Sequence, residues 1–385
     1  MKFDFNNSTY AKFWGSREAR QALQIFANDP AIIKRLPAFW RSQFSVDPLT
    51  TPRNNDGTAV FSAKMRANTL ENMLDWRAPL AETQTRDKKG VEAYTGTIPD
   101  FAARGYVEQA MEREARERMF EDYFGNDAQI LSAYADDLQQ MILEADSTMS
   151  HLAAMALSGG YTAYNYGSGI TGNIYKAPIP EANFRKAGTV AWTDTTNCKL
   201  LDQMEKLEND FRDAYGYAGA LKWQITKADF QNYVLKNAQV IEYINNWRKV
   251  NDKAVPASGW AVNAEMFNEA FTVNEKISPI EIIEEKQYNE GTPVNGWIAN
   301  KAVLRPVGFA GSVKHADSLD RKMAEKYGSK AIDKVFANVD GLYILMNTTL
   351  NNGDFKEWHT DLFVSAVPVL EEFLYHNIVS INVAD

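Results

Sequence analysis

Several groups of residues have types and spacings that can support chemistry, and the glycine cluster is the first of them. Gly167, Gly169 and Gly172 match G-x-G-x-x-G, the turn that holds the pyrophosphate of a dinucleotide. That turn works only when a strand precedes it and a helix begins directly after it. In this chain a helical pattern precedes the glycines, and the strand-like NIYKAPIP follows them. The order of elements therefore favours a hairpin turn over a cofactor site.

The residue types used in hydrolysis are present, but they do not form a recognisable catalytic pattern. His359 and Asp361 can pair and Ser365 follows them, but a nucleophile also needs a positioned base and an oxyanion site. Cys198 beside Lys199 at a predicted helix start can have a lowered thiol pKa, although a packed thiol is the simpler interpretation. We therefore assign no catalytic residue and no cofactor, and we do not expect an enzyme.

The acidic stretch IEIIEE contains carboxylates of the kind that bind hard cations. Alternation along a strand explains this stretch better, because Glu281 then points away from the face that carries Ile280 and Ile282. The single cysteine excludes an intrachain disulfide, and the four histidines are scattered without a zinc-ligand spacing. We interpret the stretch as a strand whose glutamates lie on its solvent-exposed face, and we assign no metal ligand.

The composition is typical of a folded protein with two or three compact units, since 45% of the 385 residues are hydrophobic and 24% are charged. The formal net charge of −9 argues against a protein whose main task is binding phosphate backbones, so DNA is expected only as enclosed cargo. No apolar run has the length of a signal peptide or of a membrane span. We therefore expect synthesis in the cytoplasm and no membrane partner.

The N-terminal part of the chain predicts an arm followed by a hairpin. Residues 1–53 carry one amphipathic stretch interrupted by prolines from Pro30 to Pro52, which is typical of an extended arm with short helices. Residues 54–103 contain the strand-like stretches AVFSAKM and VEAYTGTIP, with the charged turn RDKKG between them. An isolated two-stranded hairpin is marginal in water, so contacts from elsewhere must hold it.

Residues 104–193 predict helices and then a glycine-rich hairpin. Two helical parts run from Arg104 to Ser158 and are separated at Gly125-Asn126. The second part has an a/d heptad pattern made by Leu131, Tyr134, Leu138, Met141, Ala145, Thr148, Leu152 and Met155. A dimerising coiled coil gives this pattern, but so does a long helix packed along the sheet of its own domain, which we favour.

Residues 194–350 predict an α/β unit. One helix carries an apolar face formed by Leu200, Met204, Leu207, Phe211 and Ala214. The strand ALKWQI follows, then a helix capped by Thr226, a further helix around Val240 and Ile244, and strands in PIEIIEEKQY and AVLRPVGF. Residues 351–385 end in β-branched apolar residues and predict a strand that returns into a core.

Longer stretches resemble one known family in their order along the chain. NMLDWRAPLAETQTRDKKGVEAYTGTIPDF is similar to its extended loop, and MILEADSTMSHLAAMALSGGY, running into GNIYKAPI, is similar to its spine helix and hairpin. WTDTTNCKLLDQMEKL, ITKADFQNYVLKNAQVIEYI and SPIEIIEEKQYNEGTPVNGWIANKAVLRPVGFAGSV resemble its axial domain. The family is the major capsid protein of tailed bacteriophages, and the likeness is closest to the phage lambda major head protein family.

This resemblance implies an α+β protein with the tailed-phage, Hong Kong 97-like, major capsid fold. Its parts would be an N-terminal arm (1–53), an extended loop (54–103), a peripheral domain with the spine helix (104–193), an axial domain (194–350) and a return strand to the peripheral domain (351–385). The resemblance also implies self-assembly as hexamers and pentamers into an icosahedral head around double-stranded DNA. The protein would belong to the virion and, during assembly, to the host cytoplasm.

The extended loop of the family lies over a neighbouring subunit. We expect its charged tip, Arg86, Asp87, Lys88 and Lys89, to contact another subunit, because a thinly apolar hairpin has no local core. The chain starts without the long charged extension that serves some relatives as a fused scaffold, which implies a separate scaffolding protein. A portal protein and, optionally, a decoration protein complete the expected partners.

Two other functions stay open at this point. An encapsulin-like cellular shell protein would share the fold but enclose protein cargo. An α/β enzyme of unknown substrate would use residues 194–350 and the glycine cluster.

Overall fold

A computed structural model of the chain describes residues 38–66, 91–104, 108–109, 127–166, 170–251, 264–272, 277–284, 287–289, 292–318, 332–339, 342–352 and 355–384. The chain divides into two compact units. The first consists of residues 1–61, 96–150 and 312–368, and the second of residues 62–95, 151–311 and 369–385.

The bounds of the regular elements are given in chain order. The helices are α1 (Phe39–Gln43), α2 (Asp127–Gly159), α3 (Leu200–Tyr215), α4 (Lys227–Asp229), α5 (Ala238–Val250) and α6 (Ala264–Thr272). The strands are β1 (Phe44–Val46), β2 (Ala59–Arg66), β3 (Val91–Ile98), β4 (Asp100–Arg104), β5 (Glu108–Gln109), β6 (Tyr161–Tyr166), β7 (Ile170–Lys176), β8 (Phe184–Lys186), β9 (Leu221–Thr226), β10 (Ile280–Ile283), β11 (Gln287–Asn289), β12 (Thr292–Val294), β13 (Lys301–Pro306), β14 (Gly311–His315), β15 (Ile332–Val339), β16 (Tyr343–Asn352), β17 (Phe355–Leu370) and β18 (Asn377–Ser380).

The first unit is built on a seven-stranded sheet with the order β1-β14-β17-β16-β15, in which β4 and β5 also pair with β17. The strands β15, β16 and β17 run antiparallel to their neighbours, with Tyr343 opposite Val364. Residues 364–368 of β17 are buried on both faces, as expected for a central strand. A strand from the C-terminal part of the chain therefore holds this sheet together.

A buried carboxylate fixes the residues that follow the arm. One oxygen of Asp146 accepts a hydrogen bond from the indole Nε1 of Trp40 at 2.9 Å and from the hydroxyl of Tyr343 at 2.6 Å. The guanidinium of Arg41 lies 3.3 Å from the same oxygen and 4.5 Å over the ring of Trp40. Three donors converging on one carboxylate tie α1, α2 and β16 together. The predicted short helix is confirmed at α1, while residues 1–37 lie outside the described part.

The long helix α2 begins and ends where its glycines predict. It starts directly after Gly125-Asn126 and stops before Gly160, whose φ of +70° lies in the region that favours glycine. Its buried stripe is wider than an a/d seam and includes Met141, Ile142, Ala145, Met149, Leu152 and Ala153. This burial arises within one chain, as the preferred interpretation predicted. Thr148, which was expected in the seam, is exposed, and the side chains of Leu131, Tyr134 and Leu138 lie outside the described part.

The second unit is built on a five-stranded mixed sheet with the order β10-β9-β13-β18-β8. The strand β9 pairs parallel with β10 and antiparallel with β13, and β18 pairs antiparallel with β13 and parallel with β8. The core around this sheet includes Leu200, Met204, Phe211, Trp223, Val240, Ile244, Phe267 and Val379. The predicted apolar face of α3 is confirmed except at Ala214, which is exposed.

The predicted cap at Thr226 is also present in the second unit. Its hydroxyl accepts a hydrogen bond from the backbone N–H of Asp229 at 3.1 Å. The helix that it caps is a single turn, α4, and continues as the π-helical turn Phe230–Val234. The side chain of Asn237 caps α5 in the same way, by accepting from the N–H groups of Gln239 and Val240.

Two stretches differ from the secondary structure and domains expected from the sequence. Residues after Arg104 were expected to be helical, but Glu108–Gln109 is a strand because it pairs with Glu357 and Trp358 of β17. The strands β15 and β16 fall in the expected axial range, yet β15 pairs with β16 and β16 pairs with β17 in the sheet of the first unit. The predicted five-part division therefore stays a prediction, and the two compact units cut across it.

The burial of α2 predicts which substitutions destabilise the protein. Replacing Leu152, which is 2% exposed, by alanine should lower the free energy of unfolding by about 2–5 kcal/mol through lost burial and a cavity. Thr148→Ala is the matched control on the same helix, and it should cost under about 0.5 kcal/mol because Thr148 is exposed. Urea unfolding of both variants measures the difference, and equal losses would contradict the burial pattern.

Candidate functional site

The hairpin predicted to act between subunits is anchored at its base. The strands β2 and β3 form a two-stranded sheet of their own. The hydroxyl of Tyr94 on β3 donates to the carbonyl of Leu370 at 2.5 Å, and its ring centroid lies 5.4 Å from Phe373 and 5.6 Å from Tyr175. Burial raises the pKa of the Tyr94 phenol, so this donor stays protonated. These contacts supply the outside support that a two-stranded hairpin requires.

The charged residues of the expected loop tip lie between these two strands in sequence. Arg86, Asp87, Lys88 and Lys89 fall within residues 67–90, outside the described part of the chain. Their contact with another subunit stays a prediction.

The glycine cluster belongs to a hairpin and does not have the element order of a cofactor site. It follows α2, and the flanking strands β6 and β7 pair antiparallel with Tyr166 opposite Ile170. Gly172 lies inside β7, while Gly167 and Gly169 lie outside the described residues. No helix follows the cluster directly, because β7 occupies residues 170–176. The predicted hairpin is confirmed.

The candidate nucleophile Ser365 takes part in an ion-pair network within the first unit. Its hydroxyl donates to a carboxylate oxygen of Asp100 and accepts from Nη2 of Arg53 at 2.9 Å. Arg53 also donates from Nη1 to the second oxygen of Asp100 at 3.0 Å. Asp361 is buried, and the side chain of His359 lies outside the described part. The Ser365 hydroxyl therefore supports the pairing of β4 with β17.

The thiol of Cys198 is a packed side chain. It is 2% exposed, and burial raises its pKa to about 11, with the Asp194 carboxylate adding to the effect. A thiol with a raised pKa is a poor nucleophile at neutral pH. The interpretation of Cys198 as structural is confirmed.

A buried arginine holds a surface loop of the second unit in place. Arg305 on β13 is 1% exposed, and its Nη1 donates to the carbonyls of Pro306 at 3.1 Å and of Gly308 at 3.0 Å. Its Nε donates to Oε1 of Gln224 at 3.0 Å. The chain can bend sharply here because Gly308 has φ +127°, which favours glycine. Arg305 therefore clamps the loop that joins β13 to β14.

Carboxylates compensate the charge of Arg305. Burial lowers the pKa of the guanidinium to about 10, while Glu281 and Glu372 act to raise it, so the group stays charged at neutral pH. Glu281 also accepts from Nζ of Lys222 at 2.7 Å and from Nε2 of Gln224 at 2.9 Å. Burial raises the pKa of the Glu372 carboxyl, although Arg305 acts in the opposite direction. The clamp is thus part of a compact charge network beneath the loop.

A second arginine holds the neighbouring loop in a similar way. Nη1 of Arg212 donates to the carbonyl of Gly219 at 3.0 Å and to that of Tyr217 at 3.3 Å. The backbone N–H of Val307 donates to the carbonyl of Ala220 at 3.0 Å, which joins the two loops. We call residues 216–220 together with 307–309 the paired-loop surface.

The paired-loop surface displays apolar side chains to solvent. Val307 is 54% exposed and Phe309 is 52% exposed, and Ala218, Gly219 and Ala220 are exposed beside them. The sequence of this surface, GYAGA and VGF, contains no Asp, Glu, Lys or Arg. A rigid, uncharged and apolar surface is typical of a protein contact.

A cavity of about 450 Å³ lies between β8 and α3. Its lining carries cations from Arg185, Lys186, Lys199 and Lys206 and carboxylates from Asp202 and Asp210. The two signs partly offset each other, and neither histidine nor cysteine lines the cavity. Within the described ranges no group of three or more His, Cys, Asp or Glu residues is placed to hold a metal ion. No helix in those ranges is long and apolar enough to cross a membrane.

The sequence did not single out Arg305 or Arg212 as functional residues. Arg305 lies within AVLRPVGF, where it interrupts an apolar run at a position that the structure buries. A charged residue in a buried strand position, followed by a Pro and a Gly, was the signal available for it. Arg212 gave no comparable signal, because its partners are backbone carbonyls of a loop.

Comparison with known proteins finds a family of matching sequence and structures of similar fold. The family model for phage major capsid protein E matches residues 63–316. A crystal structure described as the capsid protein of a prophage of Escherichia coli CFT073 is similar at a TM-score of 0.51, with 13% identity, and covers 94% of this chain and 98% of the other. The capsid of cyanophage A-1(L) gives a TM-score of 0.42 with 11% identity, covering 90% of this chain and 92% of the other. No curated protein sequence matches significantly.

The Arg305 clamp predicts a large stability effect. Arg305→Met should lower the free energy of unfolding by about 3–5 kcal/mol, because it leaves buried carbonyls and carboxylates without their cation. Arg185→Met, at a half-buried arginine of the same unit, is the control and should cost under about 1 kcal/mol. Chemical denaturation of both variants tests this, and a small loss at Arg305 would show that the clamp is unimportant.

Proposed function

Because this chain belongs to the phage major capsid protein E family, we propose that it assembles as hexamers and pentamers into the icosahedral head of a tailed phage, around double-stranded DNA. The protein is a structural component of a capsid shell and of the virion, and it has the α+β, Hong Kong 97-like, capsid fold. The observation that carries the proposal is the family match over residues 63–316. The closer likeness to the phage lambda head protein stays a prediction.

Self-association is supported by the family match, and the β2–β3 hairpin is the element that we propose takes part in it. The hairpin of β2 and β3 is held at its base by Tyr94 and carries the segment 67–90 between its strands. That segment contains the charged stretch Arg86–Lys89, and the sequence on either side of it has few apolar residues that could form a local core. A contact with a neighbouring copy would explain the charged residues of this stretch, and the family resemblance implies such a contact.

The remaining partners of the proposed function follow from the family resemblance alone. They are a separate scaffolding protein, a portal protein and, optionally, a decoration protein, met in the host cytoplasm during assembly. The negative net charge supports DNA as enclosed cargo more than as a tightly bound ligand.

We further propose that the protein catalyses no reaction. The hydroxyl of Ser365 is engaged by Arg53 and Asp100, and Cys198 is a buried thiol of raised pKa. The glycine cluster has a strand where a dinucleotide site needs a helix. These features favour a structural role over the enzyme alternative at the glycine cluster, at Ser365 and at Cys198.

The proposed function predicts closed particles. Expression of the chain with the scaffolding protein of its phage should give icosahedral shells in electron micrographs, and packaged heads should contain double-stranded DNA. Strictly monomeric protein across concentration and salt would contradict the proposal. Shells that enclose protein cargo of a cell, and never DNA, would favour the encapsulin-like alternative.

The proposed contact of the loop tip predicts that a charge reversal at this tip impairs shell assembly without destabilising the subunit. Lys88→Glu together with Lys89→Glu should impair shell closure, because reversed charges meet a partner surface that complements the native ones. The free energy of unfolding of the subunit should change by less than about 1 kcal/mol, because charges at the predicted tip of a loop are expected to face solvent, where they contribute little. Lys236→Glu together with Lys249→Glu, at two exposed positions, changes the net charge by the same amount and is the control. Normal heads from the loop-tip variant, or a destabilised subunit, would count against the contact.

A further inference from the structure

We infer that the paired-loop surface, residues 216–220 with 307–309, is a contact surface for a second copy of this chain. The inference rests on the proposed function, and it names a surface that the extended loop does not include. Exposed Val307 and Phe309 sit on a loop whose backbone is held by the buried Arg305.

The backbone of this surface is fixed before any partner binds. Arg305 holds the carbonyls of Pro306 and Gly308, and the carbonyl of Ala310 accepts from the backbone N–H groups of Glu371 and Glu372. The neighbouring loop is held by Arg212 and joined through Val307. A fixed loop loses little conformational entropy on binding, so its apolar side chains contribute fully to a contact.

The two large side chains are only partly covered by their own chain. An added Cβ at Gly308 would meet no atom within 4 Å, so the space in front of the loop tip is open. Val307 and Phe309 flank that open position and are about half exposed. Burying the Arg305 guanidinium carries a desolvation penalty, and exposing two apolar residues to water does not offset that penalty. Their exposure is explained when another molecule covers them.

Charge favours a second copy as that molecule. Each copy carries a formal charge of −9, so copies repel one another at long range. They approach at the lowest electrostatic cost through surfaces without ionised side chains, and the paired-loop surface has none. A shell protein also meets other copies of itself more often than any other partner. An acidic or basic partner has no complementary charge on this surface to recognise.

The first test compares assembly of full-length variants. Val307→Ser with Phe309→Ser should raise the subunit concentration needed for shell formation about tenfold or more, while the subunit stays folded and loses less stability than a core substitution causes, because both side chains are about half exposed. Val250→Ser is the matched control, because Val250 is 86% exposed on α5 beside Lys249, and it should assemble like the wild type. Normal shells from the double variant, or an equal defect in the control, overturn the inference.

The second test identifies the occupant directly. Phe309→Cys can be labelled with a benzophenone maleimide, because the native Cys198 is buried and its thiol is poorly reactive. Irradiation of assembled shells should give crosslinks between two copies of the chain. Crosslinks within one chain, or to the scaffolding protein, overturn the inference while leaving the shell function intact. Failure of the wild-type chain to form shells under any condition would remove the proposed function and this inference with it.

Discussion

The two largest sheets in the described part of this protein depend on strands contributed by the last part of the chain. In the first unit β17 pairs with β4, β5 and β16 and lies next to β14, and in the second β18 pairs with β8 and β13. Without these two strands each sheet would expose unpaired backbone groups and lose its central apolar contacts. The subunit therefore cannot complete its core until synthesis reaches this region, and such non-local pairing folds slowly.

Signals that act over a few residues were sufficient to predict much of this fold. Gly160 ends α2 because its backbone adopts a positive φ, and Thr226 caps a helix because its hydroxyl satisfies a nearby N–H group. The hairpin around the glycine cluster follows from alternation on both sides of a turn. In each case the residues that decide the structure are neighbours in sequence. The family resemblance then added the fold and the shell function, which local patterns alone did not contain.

The parts that the sequence predicted wrongly or missed depend on partners far along the chain. Glu108–Gln109 lies in a stretch with helical periodicity, but pairing with β17 makes it a strand. Thr148 fits a heptad, yet the buried stripe of α2 follows the surface that covers it and leaves Thr148 exposed. Arg305 reads as one residue of an apolar strand, and only the tertiary structure brings Gln224, Glu281 and Glu372 around it. No spacing rule within AVLRPVGF indicates these partners.

The buried Arg305 also shows why stability alone does not explain this loop. An apolar residue in its place, with the nearby carboxylates replaced as well, would pack without the desolvation that a buried ion pair requires, and such exchanges are often neutral or stabilising. An apolar side chain cannot bind two carbonyls of a loop at once, whereas a guanidinium can. What the arginine adds is therefore the fixed shape of residues 306–308. That shape places Val307 and Phe309 at the surface. The fixed loop therefore favours binding to another molecule more than it favours the stability of the subunit.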